Sequence, residues 1–320
     1  MLTSFHQYRT RSIRISLIIL SLIMSKSVFA FEQNKINIAS SIRPLAIIAQ
    51  DLLGDSAKVT TVLPNNASPH HFTLKPSQVR QLEQADIVLA VAPELETFLI
   101  RYRKASKHPE RHIILQEELG RTKAITKDEH HSDEHAHHHH GHDHSYDSGK
   151  ENAHAEDLHL WLNPEHVAIL AKAIIREAIK LRPASKAQLE KQLQTYKQKL
   201  IEIQASNKDQ LSPYHKVFFG AYHDGYNTFS QAFGLQNAIA LTSVPDEQVS
   251  AKKITKMRQS LSGAKCLLAE SGEATTAKRY ARLFKLKLIE IDLLALDPSI
   301  KTYQDYIRQI TQSVSTCLTD

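Results

Sequence analysis

Short runs of β-branched and aliphatic residues alternate with helix-like stretches along this chain, on both sides of one long helical segment. Ile36 to Ser40, Val59 to Leu63, Ile87 to Val91 and Ile113 to Leu115 read as strands. Between them lie a helix opening near Pro44, a helix over Pro76 to Ala85 and another over Glu94 to Ser106. Pro76 falls in a first turn, where its missing N–H costs nothing. The pattern restarts with Val217 to Gly220, Ala238 to Leu241, Leu267 to Ala269 and Leu288 to Ile291 as strands. Asp224 to Phe233, Ser250 to Ser262, Ala274 to Phe284 and Thr302 to Leu318 are the accompanying helices, and Gly234 stands where a helix C-terminal cap belongs. Strands that alternate with helices in this way form a mainly parallel sheet, since each parallel neighbour needs a crossover.

The segment between the two halves is different. From Pro183 to Gln210, Leu189, Leu193, Tyr196, Leu200 and Ile203 repeat at helical spacing and make one narrow apolar stripe. A helix of that length reaches roughly 40 Å, long enough to lie along two lobes. The expected fold is therefore α/β: two lobes, each with a mainly parallel sheet flanked by helices, joined by one long bracing helix. The expected boundaries are 31–182 for the first lobe, 183–211 for the brace and 212–320 for the second lobe. No internal repeat is visible at the level of residues. A single brace implies a small closure of the lobes, not a wide hinge.

Residues 1–30 read as a cleavable signal peptide. Arg9, Arg11 and Arg14 precede the apolar run Ile15 to Met24, and Val28-Phe29-Ala30 supplies small residues for cleavage. That run is too short to span a bilayer. Its removal lowers the net charge from +6 to +2, so the basic balance is weak support for a nucleic-acid partner. In an exported chain the only two cysteines, Cys266 and Cys317, are expected to form a disulfide. No cysteine lies near the cleavage site to take a lipid anchor. An unanchored exported binder stays near its cell only inside an outer membrane, which points to a Gram-negative periplasm.

Histidine is the compositional outlier. There are 19, and ten of them fall between His130 and His154 in a stretch with almost no apolar residues. Residues 128–155 cannot bury enough surface to offset their ordering entropy and are expected to form a disordered loop. His130, His131, His135, His137, His138, His139, His140, His142 and His144 are its candidate accessory metal donors, expected to hold metal weakly and exchangeably.

Three other histidines sit where ligands gather in α/β proteins, at the carboxyl ends of strands. His70 follows a strand in Ser68-Pro69-His70-His71-Phe72, on a loop stiffened by Pro64 and Pro69. His159 alternates with apolar neighbours in Asp157-Leu158-His159-Leu160-Trp161-Leu162-Asn163-Pro164, where the only tryptophan can wall a site against water. His223 follows the strand Val217 to Gly220 in Ala221-Tyr222-His223-Asp224-Gly225-Tyr226. Asp224 can act there as a helix N-cap or as the partner that orients an imidazole. His71 is expected to be exposed, and His108, His112, His166 and His215 carry no assigned role.

With these blocks in place the chain resembles the zinc-specific solute-binding proteins of ABC importers, the ZnuA type within the wider zinc and manganese group. The resemblance spans essentially the whole mature chain. It is carried by Asn66 to His70 running into Leu74-Lys75-Pro76-Ser77, then by Gln84-Ala85-Asp86 and Pro93-Glu94-Leu95-Glu96. It continues through Asp157 to Pro164, His223-Asp224-Gly225-Tyr226 and Cys266-Leu267-Leu268-Ala269-Glu270. It implies a monomeric, non-enzymatic, high-affinity periplasmic binder that delivers Zn2+ to an inner-membrane ABC permease. It also implies that His70, His159 and His223 are metal ligands, and that Asp292, after the last strand, is the fourth. Where some members place a glutamate before the first histidine this chain has Pro69, so the fourth donor is Asp292 or water. Leu293-Leu294-Ala295-Leu296 departs from the small residues expected after Asp292. A histidine at the third position, where manganese members tend to carry a glutamate, suits tetrahedral zinc. The other readings are a manganese or iron binder of the same fold, a stand-alone zinc buffer, and a zinc hydrolase. The last would need a general base, for which Glu270 is the best available residue.

Overall fold

The computed structural model describes residues 35–65, 67–128, 157–245 and 247–319. The expected signal peptide and the accessory histidines of the His-rich stretch lie outside the described residues.

The first sheet forms from β1 (Ile36–Ser40), β2 (Ala57–Thr61), β3 (Ile87–Ala90) and β4 (His112–Ile114), all parallel, in the order β2-β1-β3-β4. β3 is buried along its whole length, as its unbroken apolar run requires. Helices α1 (Arg43–Leu53), α2 (Pro76–Glu83) and α3 (Thr97–Ala105) make the crossovers. α1 carries Pro44 in its first turn and stops at Gly54, whose φ of 53° with ψ of −130° favours glycine. α4 (Leu115–Asp128) follows β4 directly, and α5 (Pro164–Leu181) resumes the chain under a cap in which Asn163 Oδ1 accepts from the Glu165 N–H. α6 (Lys186–Leu211) is the long helix.

Beyond it come β5 (Gly220–His223), α7 (Asn227–Phe233), β6 (Ile239–Thr242), α8 (Ala251–Ser260), β7 (Cys266–Glu270), α9 (Ala274–Phe284), β8 (Lys287–Ile291) and α10 (Tyr303–Thr319). The second sheet is parallel throughout, in the order β6-β5-β7-β8. That is the order of the first sheet, so the two lobes repeat in topology although not in sequence. Gly234 ends α7 in the left-handed conformation, at φ 74°. A disulfide joins Cys266, at the start of β7, to Cys317 in α10.

Element bounds shift by up to three residues, β2 for example lying at Ala57–Thr61 and not Val59 to Leu63, and two departures matter most. β5 begins at Gly220 and ends on His223, three residues later than expected, because the apolar run Val217 to Phe219 leads into the sheet and leaves Phe218 half exposed. His223 is thus the last residue of its strand. α4 was not expected at all: its sequence, with Gly120 and many polar residues, has little apolar periodicity.

The lobes are not separate bodies. Leu189, Tyr196, Leu200 and Ile203 on α6 are buried against α5, α10, α7 and α1. One continuous apolar core includes Ile38 of β1, Trp161, Phe229 of α7 and Tyr306 of α10. Polar contacts lock the seam. Trp161 Nε1 donates to Tyr306 Oη at 2.9 Å, and Tyr303 Oη donates to the Trp161 carbonyl at 3.0 Å. The Arg43 guanidinium donates to the carbonyls of Leu296 and Ile300 at 3.0 and 3.2 Å.

Candidate metal centre

In a 2-1-3-4 parallel sheet the connections leave in opposite directions from the first and third strands. A crevice opens between the carboxyl ends of those two strands. Here those pairs are β1 with β3 and β5 with β7. His223 ends β5 and Glu270 ends β7, on either side of the second crevice. His70 arrives from the loop after β2, on a short turn, Pro69–His71, where Ser68 Oγ accepts from the His70 N–H. His159 comes just before the turn Leu160–Leu162 that leads into α5.

These imidazoles meet. One nitrogen from each of His70, His159 and His223 lies within 4.8 Å of the other two, the only such group of metal-ligating side chains among the described residues. His159 and His223 are buried and His70 is half-buried. The Nε2 atoms of His159 and His223 are 3.4 Å apart. Zn–N bonds of about 2.0–2.1 Å in a tetrahedron put two nitrogens roughly 3.3–3.4 Å apart.

The far side of two rings is held by a carboxylate. Asp157 Oδ1 accepts from both the backbone N–H of His159, at 2.9 Å, and its Nδ1, at 2.8 Å. Asp157 Oδ2 accepts from the Thr228 N–H on α7 at 2.7 Å, so one carboxylate spans the seam between the lobes. Burial alone would raise the Asp157 pKa, but the bonds from His159 and Thr228 outweigh it and hold the group down at about 2. Glu273 does the same for His223: its Oε2 lies 3.0 Å from Nδ1 and also accepts the Glu270 N–H at 3.1 Å. Burial pushes the His223 pKa down, yet the bond to Glu273 and the charges of Glu270, Glu273 and Asp157 leave it raised. With Nδ1–H donating to a carboxylate, each ring presents the Nε2 lone pair to the centre.

His70 is the counterpart. Its pKa is lowered to about 3, first by burial and then by the neighbouring His159, His223 and His71. Its ring is therefore neutral near pH 7, and its Nε2 is buried without a hydrogen-bond partner. A buried lone pair with nothing to accept is a standing cost unless a cation fills the site.

The remaining walls are apolar or bare. The Trp161 ring lies 5.0 Å from that of His159, centroid to centroid, and is fully buried. Gly225 closes the floor: a Cβ there would lie 2.7 Å from His223 Nε2 and 2.9 Å from His159 Cε1.

The three expected histidines come together, and neither Asp292 nor Glu270 is in the convergent group. Its Oδ2 accepts the Asp297 N–H at 2.9 Å, tying down the loop after β8. In that loop Ala295 is buried at φ 53°, in the left-handed region that favours glycine. The carboxylate on the Nε2 side of the rings is that of Glu270, with Oε1 3.6 Å from His223 Nε2 and 3.9 Å from His159 Nε2. The residue at the N-cap of α7 is Tyr226, and Asp224 Oδ1 accepts from Asn227 Nδ2 at 2.7 Å. The N-cap position thus falls to Tyr226, and the His223 ring is oriented by Glu273. His71 is exposed.

Sequence reasoning missed Asp157 and Glu273 as partners of the rings and Gly225 as the floor. Asp157 had a signal, two residues before His159. Glu273 had none, since 50 residues separate it from His223.

Comparison with known proteins gives a consistent picture. The model of the family described as zinc-uptake complex component A, periplasmic, matches residues 38–317. The chain is 29% identical to the high-affinity zinc uptake system protein ZnuA of Haemophilus ducreyi over 88% of this chain and 93% of that one. It is 31% identical to the protein of the same name from Yersinia pestis, over 74% and 77%. Among solved structures it is similar to the periplasmic zinc binding protein TroA of Treponema pallidum, with a TM-score of 0.72 and 16% identity over 89% of this chain and 100% of that one. A zinc-bound ZnuA lacking its residues 138–173 gives a TM-score of 0.68 at 17% identity, over 89% and 99%.

Proposed function

The chain belongs to the periplasmic zinc-uptake complex component A family, and on that footing we propose that it is the high-affinity zinc-binding component of an ABC importer. It captures Zn2+ as cargo in the periplasm and hands it to a membrane permease. The observation that carries this reading is the convergence of three imidazole nitrogens in a walled, largely buried pocket. The donor set suits the cargo, since neutral imidazole is a good zinc ligand and three of them leave one tetrahedral position.

The chain's own residues supply the rest of the chemistry. Asp157 and Glu273 fix two rings and strengthen them as donors through their Nδ1–H bonds. His70, neutral and unpartnered, needs no deprotonation to receive the ion. Trp161 and Gly225 shape the cavity: one excludes water, the other leaves room.

In this reading His70, His159 and His223 are the tight ligands, and the histidines of residues 128–155 collect zinc weakly beside them. Zinc titration of the exported chain tests it. Wild type is expected to show one tight site plus weak ones. His70→Ala, His159→Ala and His223→Ala should each lose the tight site and keep the weak binding. Deletion of 128–155 should do the reverse, and loss of the tight site with the loop would sink the assignment.

A further inference from the structure

Three imidazoles leave a dication in a buried pocket with its charge uncompensated and one tetrahedral position open. Two carboxylates stand at neighbouring strand ends, Glu270 on β7 and Asp292 just after β8. Their positions differ in a way the strand order explains. β7 pairs directly with β5, the strand that ends on His223, whereas β8 is one strand further out. Glu270 Oε1 accordingly lies 3.6 Å from His223 Nε2 and 3.9 Å from His159 Nε2. A tetrahedral edge is about 3.3–3.4 Å, so these two separations exceed it by only a few tenths of an ångström.

Glu270 is also braced. Its backbone N–H is held by Glu273 Oε2, the same carboxylate oxygen that lies 3.0 Å from His223 Nδ1, so ligand strand and carboxylate strand share one anchor. Asp292 is engaged elsewhere. Its Oδ2 takes the Asp297 N–H, within a loop whose Ala295 is already held in the left-handed region and whose Leu293 carbonyl accepts from Trp161 and Tyr306.

We propose that Glu270, not Asp292, is the fourth zinc ligand in this chain, with Asp292 serving to hold the loop after β8. This assignment rests on the zinc-binding reading above. It also gives Glu270 a role in binding cargo in place of the hydrolytic base that its sequence position suggested.

The test compares wild type, Glu270→Gln and Asp292→Asn as full exported chains. Zinc affinity is measured by competition with a chromophoric chelator, and the visible d–d bands are recorded with Co2+ alone in place of Zn2+. The expected result is a loss of at least about thirtyfold in zinc affinity for Glu270→Gln with altered cobalt bands. Asp292→Asn should stay within about threefold with unchanged bands. The proposal is overturned if Asp292→Asn takes the loss and the spectral change. It is equally overturned if Glu270→Gln binds like wild type, or loses affinity with unaltered bands, which would mean a positioning role only. Thermal unfolding of the metal-free proteins checks the fold. If Glu270→Gln does not fold, Glu270→Asp withdraws the carboxylate by one methylene and is held to the same two readouts. A wild type without a tight zinc site would instead refute the functional reading, and the ligand assignment with it.

Discussion

Gly225→Ala is the sharpest small perturbation of this site. The backbone tolerates it, because Gly225 is not among the glycines in the left-handed region. The difficulty is space. The new Cβ would meet His223 Nε2 at 2.7 Å, His159 Cε1 at 2.9 Å and His159 Nδ1 at 3.1 Å. Ordinary contact begins near 3.4 Å, so the first two overlaps are about 0.7 and 0.5 Å. Neither ring can yield freely. His159 is pinned by Asp157, which is itself bonded to Thr228, and has Trp161 beside it. His223 is pinned by Glu273. The methyl group therefore wedges the rings and lengthens the 3.4 Å separation between their Nε2 atoms. Metal–ligand distances tolerate only about 0.2 Å of error. Disturbing a single partner of a ligand typically costs 10–100-fold in metal affinity, and here two ligands move at once. The expected rise in Kd is at least about 100-fold, or about 2.7 kcal/mol. The assay is chelator competition at fixed pH, with metal-free thermal unfolding and circular dichroism as controls; the overlap itself should destabilise the metal-free fold by about 1–3 kcal/mol. A variant that folds and binds zinc within about threefold of wild type would refute the geometry of the site.

Other outcomes follow from the same contacts. Glu273→Ala frees His223 Nδ1 and should weaken zinc by about 10–100-fold, read by the same competition. Protons compete with zinc at His223, whose pKa is raised, and not at His70, whose pKa is about 3. Zinc affinity should therefore fall by about tenfold per unit or more as pH drops below the raised His223 value, which titration from pH 8 to 5 would show. In the metal-free protein the signs are opposite: the His223 contribution to stability is complete below its unfolded value of 6.5 and fades as pH rises through the raised one, whereas that of His70 is complete above 6.5 and fades toward 3. Reducing the Cys266–Cys317 bridge, 51 residues apart, should lower stability by about 4 kcal/mol on a chain-entropy estimate, measured by urea unfolding with and without reductant.

Much of this was legible before the fold was seen, for a specific reason. Strand and helix periodicity marks where strands end, and ligands in parallel α/β sheets cluster at carboxyl ends, so His70 and His223 stood out by position. What periodicity cannot show is which side chains meet through space. Glu273 reaches His223 across 50 residues because β5 and β7 pair, and pairing order is not written in either strand. Gly225 has no side chain to carry a chemical signal, yet its role is to leave a volume empty beside two rings. Asp292 was suggested by the family resemblance, as the residue after the last strand, and that strand is the outer one of its sheet. α4 escaped notice because a helix with a polar, glycine-containing sequence carries little periodic signal.

The same limit applies to the relation between the lobes. Their boundaries in sequence invite a picture of two bodies on a brace, and α6 does run along both. The core, however, passes through the seam, with Trp161 buried against Tyr306 and hydrogen-bonded to it. Opening such a seam would expose fully buried aromatic surface and break the bonds of Trp161, Tyr303 and Arg43 together. The ion's arrival is then accommodated at the half-buried His70 ring, whose Nε2 is unpartnered. Small-angle scattering should accordingly show nearly the same radius with and without zinc, and a large change would mean that the seam opens.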